Sequence, residues 1–384
     1  MTLFNKQPTA NQLMYINSIK NIASFSRLFT TESAAPYLVS RATENIFCEA
    51  LHATNLGRDD SAIDAILSGY GVGIKTFLHN NGRTLQKIAE FNRNSGAYRE
   101  LSDKEKVYYI ARLRNERLQF ALNNYGVKEL IYHCITRKND GTINFYETPM
   151  DFIDIRNINS IVSKQNSISF NDKINEYNFN LTKSTLFKRF PFSDDRYLVA
   201  SINVDIIQDP FIALSNIERY SSKVNTLRTL EKEYVILPLY SFSNSTGKIV
   251  PEKSGLNQWN AGGRKRNISE AYIPISRKIH QAFPNFFPER DVSFSLKLPN
   301  SKLLSVKVCQ DNDKALMSNP NKALGEWILR DVLKLDEKQL LTYDKLAEIG
   351  VDSVIITKID EANYTIDFCE IGSYDEFSTE HEIG

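Results

Sequence analysis

Asp64 and Lys75 lie in two short apolar segments, Ser61–Leu67 and Gly71–Phe77, joined through Ser68-Gly-Tyr-Gly71. If both segments are strands of one hairpin, Asp64 at the centre of the first and Lys75 near the end of the second can share a face. A half-buried carboxylate beside an ammonium, with a further acid close by, outlines a site for Mg²⁺ and phosphate. Mg²⁺ takes carboxylate oxygens while keeping several waters. It lowers the pKa of a bound water and polarises a phosphate. The lysine can position a nucleophile or offset charge developing on phosphate. Plainer roles are open to both residues, a turn-closing Asp and a solvated edge Lys.

A second chemistry is concentrated between Ser254 and Arg330. Two polar, basic segments, Ser254–Asn267 and Cys309–Asn321, flank a strand-rich block. Asn, Gln and Arg can pair bidentately with base edges, and Lys and Arg hold phosphates. Asn257, Gln258, Trp259, Asn260, Arg264, Lys265, Arg266 and Asn267 are the candidates in the first segment. Gln310, Lys314, Ser318, Asn319 and Asn321 are those in the second. Gly262-Gly263, just before Arg264-Lys-Arg266, would let the backbone approach a duplex closely. Trp259 fits packing as well as base contact, and Trp327 reads as core. The pattern suggests two arms gripping double-stranded DNA.

Composition sets the bounds. The 384 residues suffice for about two domains, and the charged and apolar fractions are ordinary for a globular protein. The expected boundary lies near residue 230, giving 1–230 and 231–384. No apolar run approaches a bilayer span and no leader pattern opens the chain, so a cytoplasmic protein without membrane association is expected. The four cysteines are scattered, and His52, His79 and His133 lack partners at metal-ligand spacing, which argues against zinc. The net charge of +1 conceals an asymmetry. Residues 359–384 hold eight acids and no Lys or Arg, so the rest sets 47 cations against 38 acids, a balance of +9.

These residues need elements to hold them. Periodicity predicts helices over 11–30, 36–55, 83–93 and about 103–123, and strands at Glu129–Thr136, Thr142–Tyr146 and Arg196–Ile202. Asp140-Gly141 predicts a hairpin turn. A helix at about 214–232 would close the first domain, and 241–255 reads as a loop. Helices alternating with strands imply an α/β fold, a mixed sheet flanked by helices.

The C-terminal motifs resemble a known family. Ser254-Gly-Leu-Asn257, Arg264-Lys-Arg-Asn267, Glu270-Ala-Tyr-Ile-Pro-Ile275, Phe286-Phe-Pro-Glu-Arg-Asp291, Lys314–Asn321 and Leu324-Gly-Glu-Trp-Ile-Leu-Arg330 look like the C-terminal DNA-recognition domain of certain bacterial type II restriction endonucleases. That resemblance covers roughly 235–375. It implies a β-rich, B3-like pseudobarrel whose N-arm and C-arm map to 254–267 and 310–321. The N-terminal half resembles the PD-(D/E)XK nuclease core, in which a helix precedes a hairpin carrying Asp and then acid-x-Lys. This chain departs from the pattern, with Gly73 where the second acid belongs. Glu44, 20 residues before Asp64, and Glu90, 15 residues after Lys75, are the substitutes that the resemblance offers. Gln86 would lie one helical turn before Glu90, placed to orient water or phosphate.

Together the resemblances imply a Mg²⁺-dependent, site-specific endonuclease. Asp64, Glu44 and Glu90 are its candidate metal ligands, with Lys75 and Gln86 beside them. A homodimer and a cognate methyltransferase in the same system are expected to accompany it. A DNA-binding regulator or specificity subunit without cleavage, or a cleaving subunit needing a separate ATPase, are the alternatives.

Overall fold

The turn between Asp64 and Lys75 is two residues long. Ser68 and Gly69 both have positive φ, 52° and 80°, as a primed hairpin turn demands, and Leu67 pairs with Tyr70 across it. The computed structural model describes residues 2–30, 33–57, 61–193, 195–214, 233–243 and 247–383. The helix expected at 214–232 lies almost wholly outside the described residues. The chain divides into two units, 1–118 with 127–228, and 119–126 with 229–384.

In the first unit, β1 (Thr54–Asn55), β2 (Ala65–Leu67), β3 (Tyr70–Leu78), β5 (Glu129–Arg137), β6 (Thr142–Pro149) and β11 (Leu198–Asn203) form a mixed sheet, in that order. Strand β3 runs parallel to β5 and the other pairs are antiparallel. Helices α1 (Thr9–Ser24) and α2 (Ser40–Leu51) pack on one face. Tyr15, Ile19, Phe47 and Leu51 meet Val72, Ile74, Ile135 and Phe145 there. Helix α2 is shorter than expected. His52 adopts the left-handed conformation, and its N–H turns back to the Cys48 and Glu49 carbonyls, which ends the helix.

A second sheet is wholly antiparallel. Its order is β4 (Arg83–Glu90), β10 (Thr185–Pro191), β9 (Glu176–Asn180), β8 (Ser167–Asn171) and β7 (Asn159–Lys164). It packs through Phe170, Phe179 and Leu186 against Val107, Ile110 and Leu113. Those three lie on α4 (Asp103–Tyr125), which follows the short helix α3 (Ser95–Tyr98). Residues 83–90 are therefore a strand and not a helix. Leu85 and Ile88 imitate helical spacing because a bulge at Ile88 breaks the alternation, leaving Ile88 and Ala89 both half-buried.

The second unit is built on one seven-stranded sheet that closes almost into a barrel. Its order is β12 (Tyr234–Pro238), β19 (Val351–Lys358), β20 (Asn363–Glu370), β16 (Ser293–Lys297), β17 (Leu303–Cys309), β18 (Ala315–Ser318) and β15 (Ile273–Pro274). Only the β16–β20 pair is parallel. Leu237, Ile273, Leu296, Val306, Leu316, Trp327, Val354 and Tyr364 fill the interior, so Trp327 is core. Within the stretch expected as loop, β13 (Ser241–Ser243) pairs antiparallel with β14 (Gly247–Ile249). Lys248 fastens it. Its ammonium lies 3.0 Å from Asp352, 2.7 Å from Asp375 and over the Tyr240 ring. Among the described residues, no helix is long and apolar enough to cross a membrane.

Candidate functional site

Asp64 sits just before β2, not at a strand centre, and the ladder fixes its place. Its N–H donates to the Val72 carbonyl (2.8 Å), and its carbonyl accepts from Leu56 N–H (3.0 Å). Its carboxylate Oδ2 accepts from Ile74 N–H at 2.6 Å and lies 3.5 Å from Lys75 Nζ. Both side chains keep partial exposure, 24% for Asp64 and 29% for Lys75, so the pair opens to solvent. Glu44 reaches the pair from α2. Burial, and then the charge of Asp64, push its carboxyl above the ordinary carboxylate range, while Arg41 and Lys75 act against this. Arg41 Nη1 lies 3.0 Å from Glu44. Cys48, one turn further along α2, is pushed up to about 12, first by burial and then by Glu44 and Asp64. Glu44 on α2, Asp64 just before β2 and Lys75 on β3 thus form one electrostatic group.

Glu90 is not part of it. It is exposed on β4 and paired with Lys87 at 2.8 Å. The bulge at Ile88 also separates it from half-buried Gln86, so the two do not work as one pair. Gly73 cannot take the missing acid without rearrangement. A Cβ there would stand 2.6 Å from Met150 Cε and 3.2 Å from the Tyr132 ring. Among the described residues, no three His, Cys, Asp or Glu side chains are grouped to hold a metal. His133 is structural. It is buried between Tyr15 Oη (3.0 Å) and Glu147 (3.3 Å), and Glu147 also accepts from Phe4 N–H.

The first arm is organised by a residue that the sequence alone does not single out. Glu270 is only 3% exposed and holds two arginines. Arg264 reaches it through both terminal nitrogens, at 2.5 and 3.1 Å. Arg266 Nε lies 3.5 Å away, and its Nη1 donates to the Ala261 and Gly262 carbonyls. Gln258, its amide oxygen turned to Arg266, accepts at 3.1 and 3.2 Å. Arg266 is thus an internal clip, whereas Arg264 stays half exposed and Lys265 and Asn267 are exposed. Asn257 is fully buried. It donates to the Pro251 and Leu341 carbonyls and accepts from Leu341 N–H, which makes it a brace at the root of the arm. Asn260 ties the arm to the Glu252 carbonyl (3.0 Å), and Trp259 packs against the core.

Strand β18 divides the second segment into two exposed ends. Gln310 and Asn312, both at positive φ, form the turn before it, with Lys314 at its start. Asn319 and Asn321 follow its end. Ser318 is buried, accepting from Leu324 N–H (2.8 Å) and donating to the Pro320 carbonyl. Antiparallel pairing of β15 with β18 sets Ile273 against Leu316. The Asn319–Asn321 end therefore lies beside the exit of the first arm, while the Lys314 carbonyl accepts from Ile275 N–H at the other end.

A nearly closed β-barrel with polar, basic arms at its rim defines a DNA-binding module. Residues 233–360, a third of the chain, match the family model of the NgoFVII C-terminal B3-like DNA-binding domain, a restriction-enzyme domain family. The second unit accordingly carries a B3-like DNA-binding domain, with double-stranded DNA as the partner it supports. No curated protein matches the chain.

Proposed function

We propose that the chain is a Mg²⁺-dependent, sequence-specific DNA endonuclease of the restriction type, with the second unit selecting the site and the first hydrolysing the backbone. The observation that carries this reading is the Asp64–Lys75 pair, 3.5 Å apart with Glu44 coupled to it, in a chain that also bears a restriction-type DNA-binding domain. The donor chemistry fits the ion. Mg²⁺ is usually held by one or two carboxylates with waters and substrate phosphate completing the shell, and Asp64 and Glu44 are two hard oxygen donors whose mutual repulsion a divalent cation would relieve. When bound, Mg²⁺ supplies an acidified water and a polarised phosphodiester. Asp64 is held in orientation by the Ile74 N–H. Lys75, 3.5 Å from Asp64, would offer its ammonium to charge developing on a phosphate bound there.

Gly73 favours a second reading, a DNA-binding protein that does not cleave. A plasmid digestion separates the two. Discrete fragments with Mg²⁺ that disappear in both Asp64→Ala and Lys75→Ala are the expected result. Cleavage that persists in both variants rejects this site, and no cleavage by the wild type, with specific DNA binding intact, favours the second reading.

A further inference from the structure

Just beyond Lys75, the end of β3, residues 80 and 81 and the start of β4 enclose an open cleft of about 830 Å³. Thr76, Asn80, Asn81, Arg83, Gln86 and Arg137 give it its character, and among the described residues lining it there is no acid. Two of its polar groups, Thr76 Oγ1 and Arg137 Nε, are buried without a hydrogen-bond partner. Such groups cost about 1–3 kcal/mol each unless something satisfies them. Arg137 donates to the Pro36 carbonyl and lies over the Tyr37 ring, and among the described residues no carboxylate is paired with it. Arg83 is shared with Glu176 at 2.8 Å, an exposed pair that a stronger anion can replace. Behind the cleft, Lys188 faces Gln86 across the β10–β4 ladder. It is 4% exposed and stands over the Tyr132 and Phe190 rings. Burial disfavours its charged form, against the field of Asp151 and Asp172, and it is no part of the cleft's own lining. The open cleft therefore gathers two arginines with amide and hydroxyl groups and has no acid among its described lining.

We propose that this cleft holds the sugar–phosphate backbone of a DNA strand, with Arg83 and Arg137 meeting phosphate oxygens and Thr76, Asn80, Asn81 and Gln86 hydrogen-bonding alongside. The proposal deepens the nuclease reading, giving the first unit its own grip on the substrate, and it rests on that reading for the identity of the polyanion. It concerns binding alone, so it is tested without metal.

The test uses the full chain in EDTA and a fluorescent duplex, with affinity measured from 50 to 200 mM KCl. The double variant Thr84→Glu/Gln86→Glu puts two negative charges in the cleft. The expected result is a log Kd against log salt slope shallower by about 1 for each phosphate no longer neutralised, with affinity roughly tenfold weaker, alike on specific and unrelated sequences. In addition, a photo-reactive benzoylphenylalanine replacing exposed Leu85 should crosslink to the duplex. That single surface change decides the matter if the double variant fails to fold. An unchanged slope together with no crosslink overturns the proposal, as does crosslinking competed away by millimolar inorganic phosphate or a mononucleotide but not by unlabelled duplex. Asp64→Ala should abolish cleavage while leaving slope and crosslink intact, so failure of the cleft and failure of the hydrolytic site read out separately.

Discussion

At the scale of single residues, Glu44 is the most exposed to test. Its carboxyl is pushed up by burial first and by Asp64 second, against Arg41. The folded chain therefore binds this proton more tightly than the unfolded chain does. The resulting stabilisation is complete below the unfolded pKa, near 4.5, and is lost as pH rises through the higher folded value. Glu44→Gln keeps a neutral group there at every pH. Its stability relative to wild type should therefore increase across that window, as read from urea midpoints between pH 4 and 8. A difference that stays flat over that range would show that neither burial nor Asp64 raises the Glu44 carboxyl. Under the proposed reaction the same residue would link stability to chemistry, because a carboxylate must be ionised to hold Mg²⁺. Wild-type cleavage should rise with pH through that window, and Glu44→Gln should lose at least tenfold in rate, about 1.4 kcal/mol of barrier.

At the scale of elements, the stretches that follow the two candidate DNA-binding segments meet at a tight contact. Gly325, in the helical segment after β18, lies so close to the residues that follow the first arm that a Cβ would stand 1.9 Å from the Ser269 carbonyl oxygen. Neither group is the free end of a flexible side chain. Gly325→Ala must displace Ser269 and with it Glu270, the anchor of Arg264 and Arg266. The expected cost is about 1–3 kcal/mol in denaturant unfolding, with weaker DNA binding in a gel-shift assay. Glu270→Gln offers the complementary test. Loss of a buried charge that holds two arginines should cost about 1–3 kcal/mol, because Arg264 is half exposed and Arg266 keeps its carbonyl partners. Arg264→Ala alone should cost less, because Arg266 remains, and it should relax base preference at one position if Arg264 makes a base contact. Much of this layout was legible in the sequence. A turn within Ser68–Gly71, the strands around Asp140-Gly141 and α4 follow from turn chemistry and periodicity. The second sheet did not emerge, although Ser167-Ile-Ser-Phe-Asn171 and Glu176-Tyr-Asn-Phe-Asn180 alternate with period two. Their Asn and Ser content read as loop, and the bulge at Ile88 gave β4 itself a helical rhythm. Glu270 stayed hidden because a buried acid declares itself only through the tertiary contacts that neutralise it.

At the scale of the whole molecule, the +9 balance of the chain before residue 359 favours a long polyanion as partner. One hydrolytic site of the kind proposed cuts one strand, so double-strand scission calls for two chains, most simply a twofold pair. That arithmetic makes concentration the informative variable. On a supercoiled plasmid with a single site, nicked circles should accumulate when protein is scarce, and linear product should rise more steeply than in proportion as protein increases. Sedimentation with a specific duplex should then show two chains per complex at the concentrations where linear product dominates. A linearisation rate strictly proportional to protein, with no nicked intermediate and one chain per duplex, would instead require both strands to be cut by a single Asp64–Lys75 site acting in sequence.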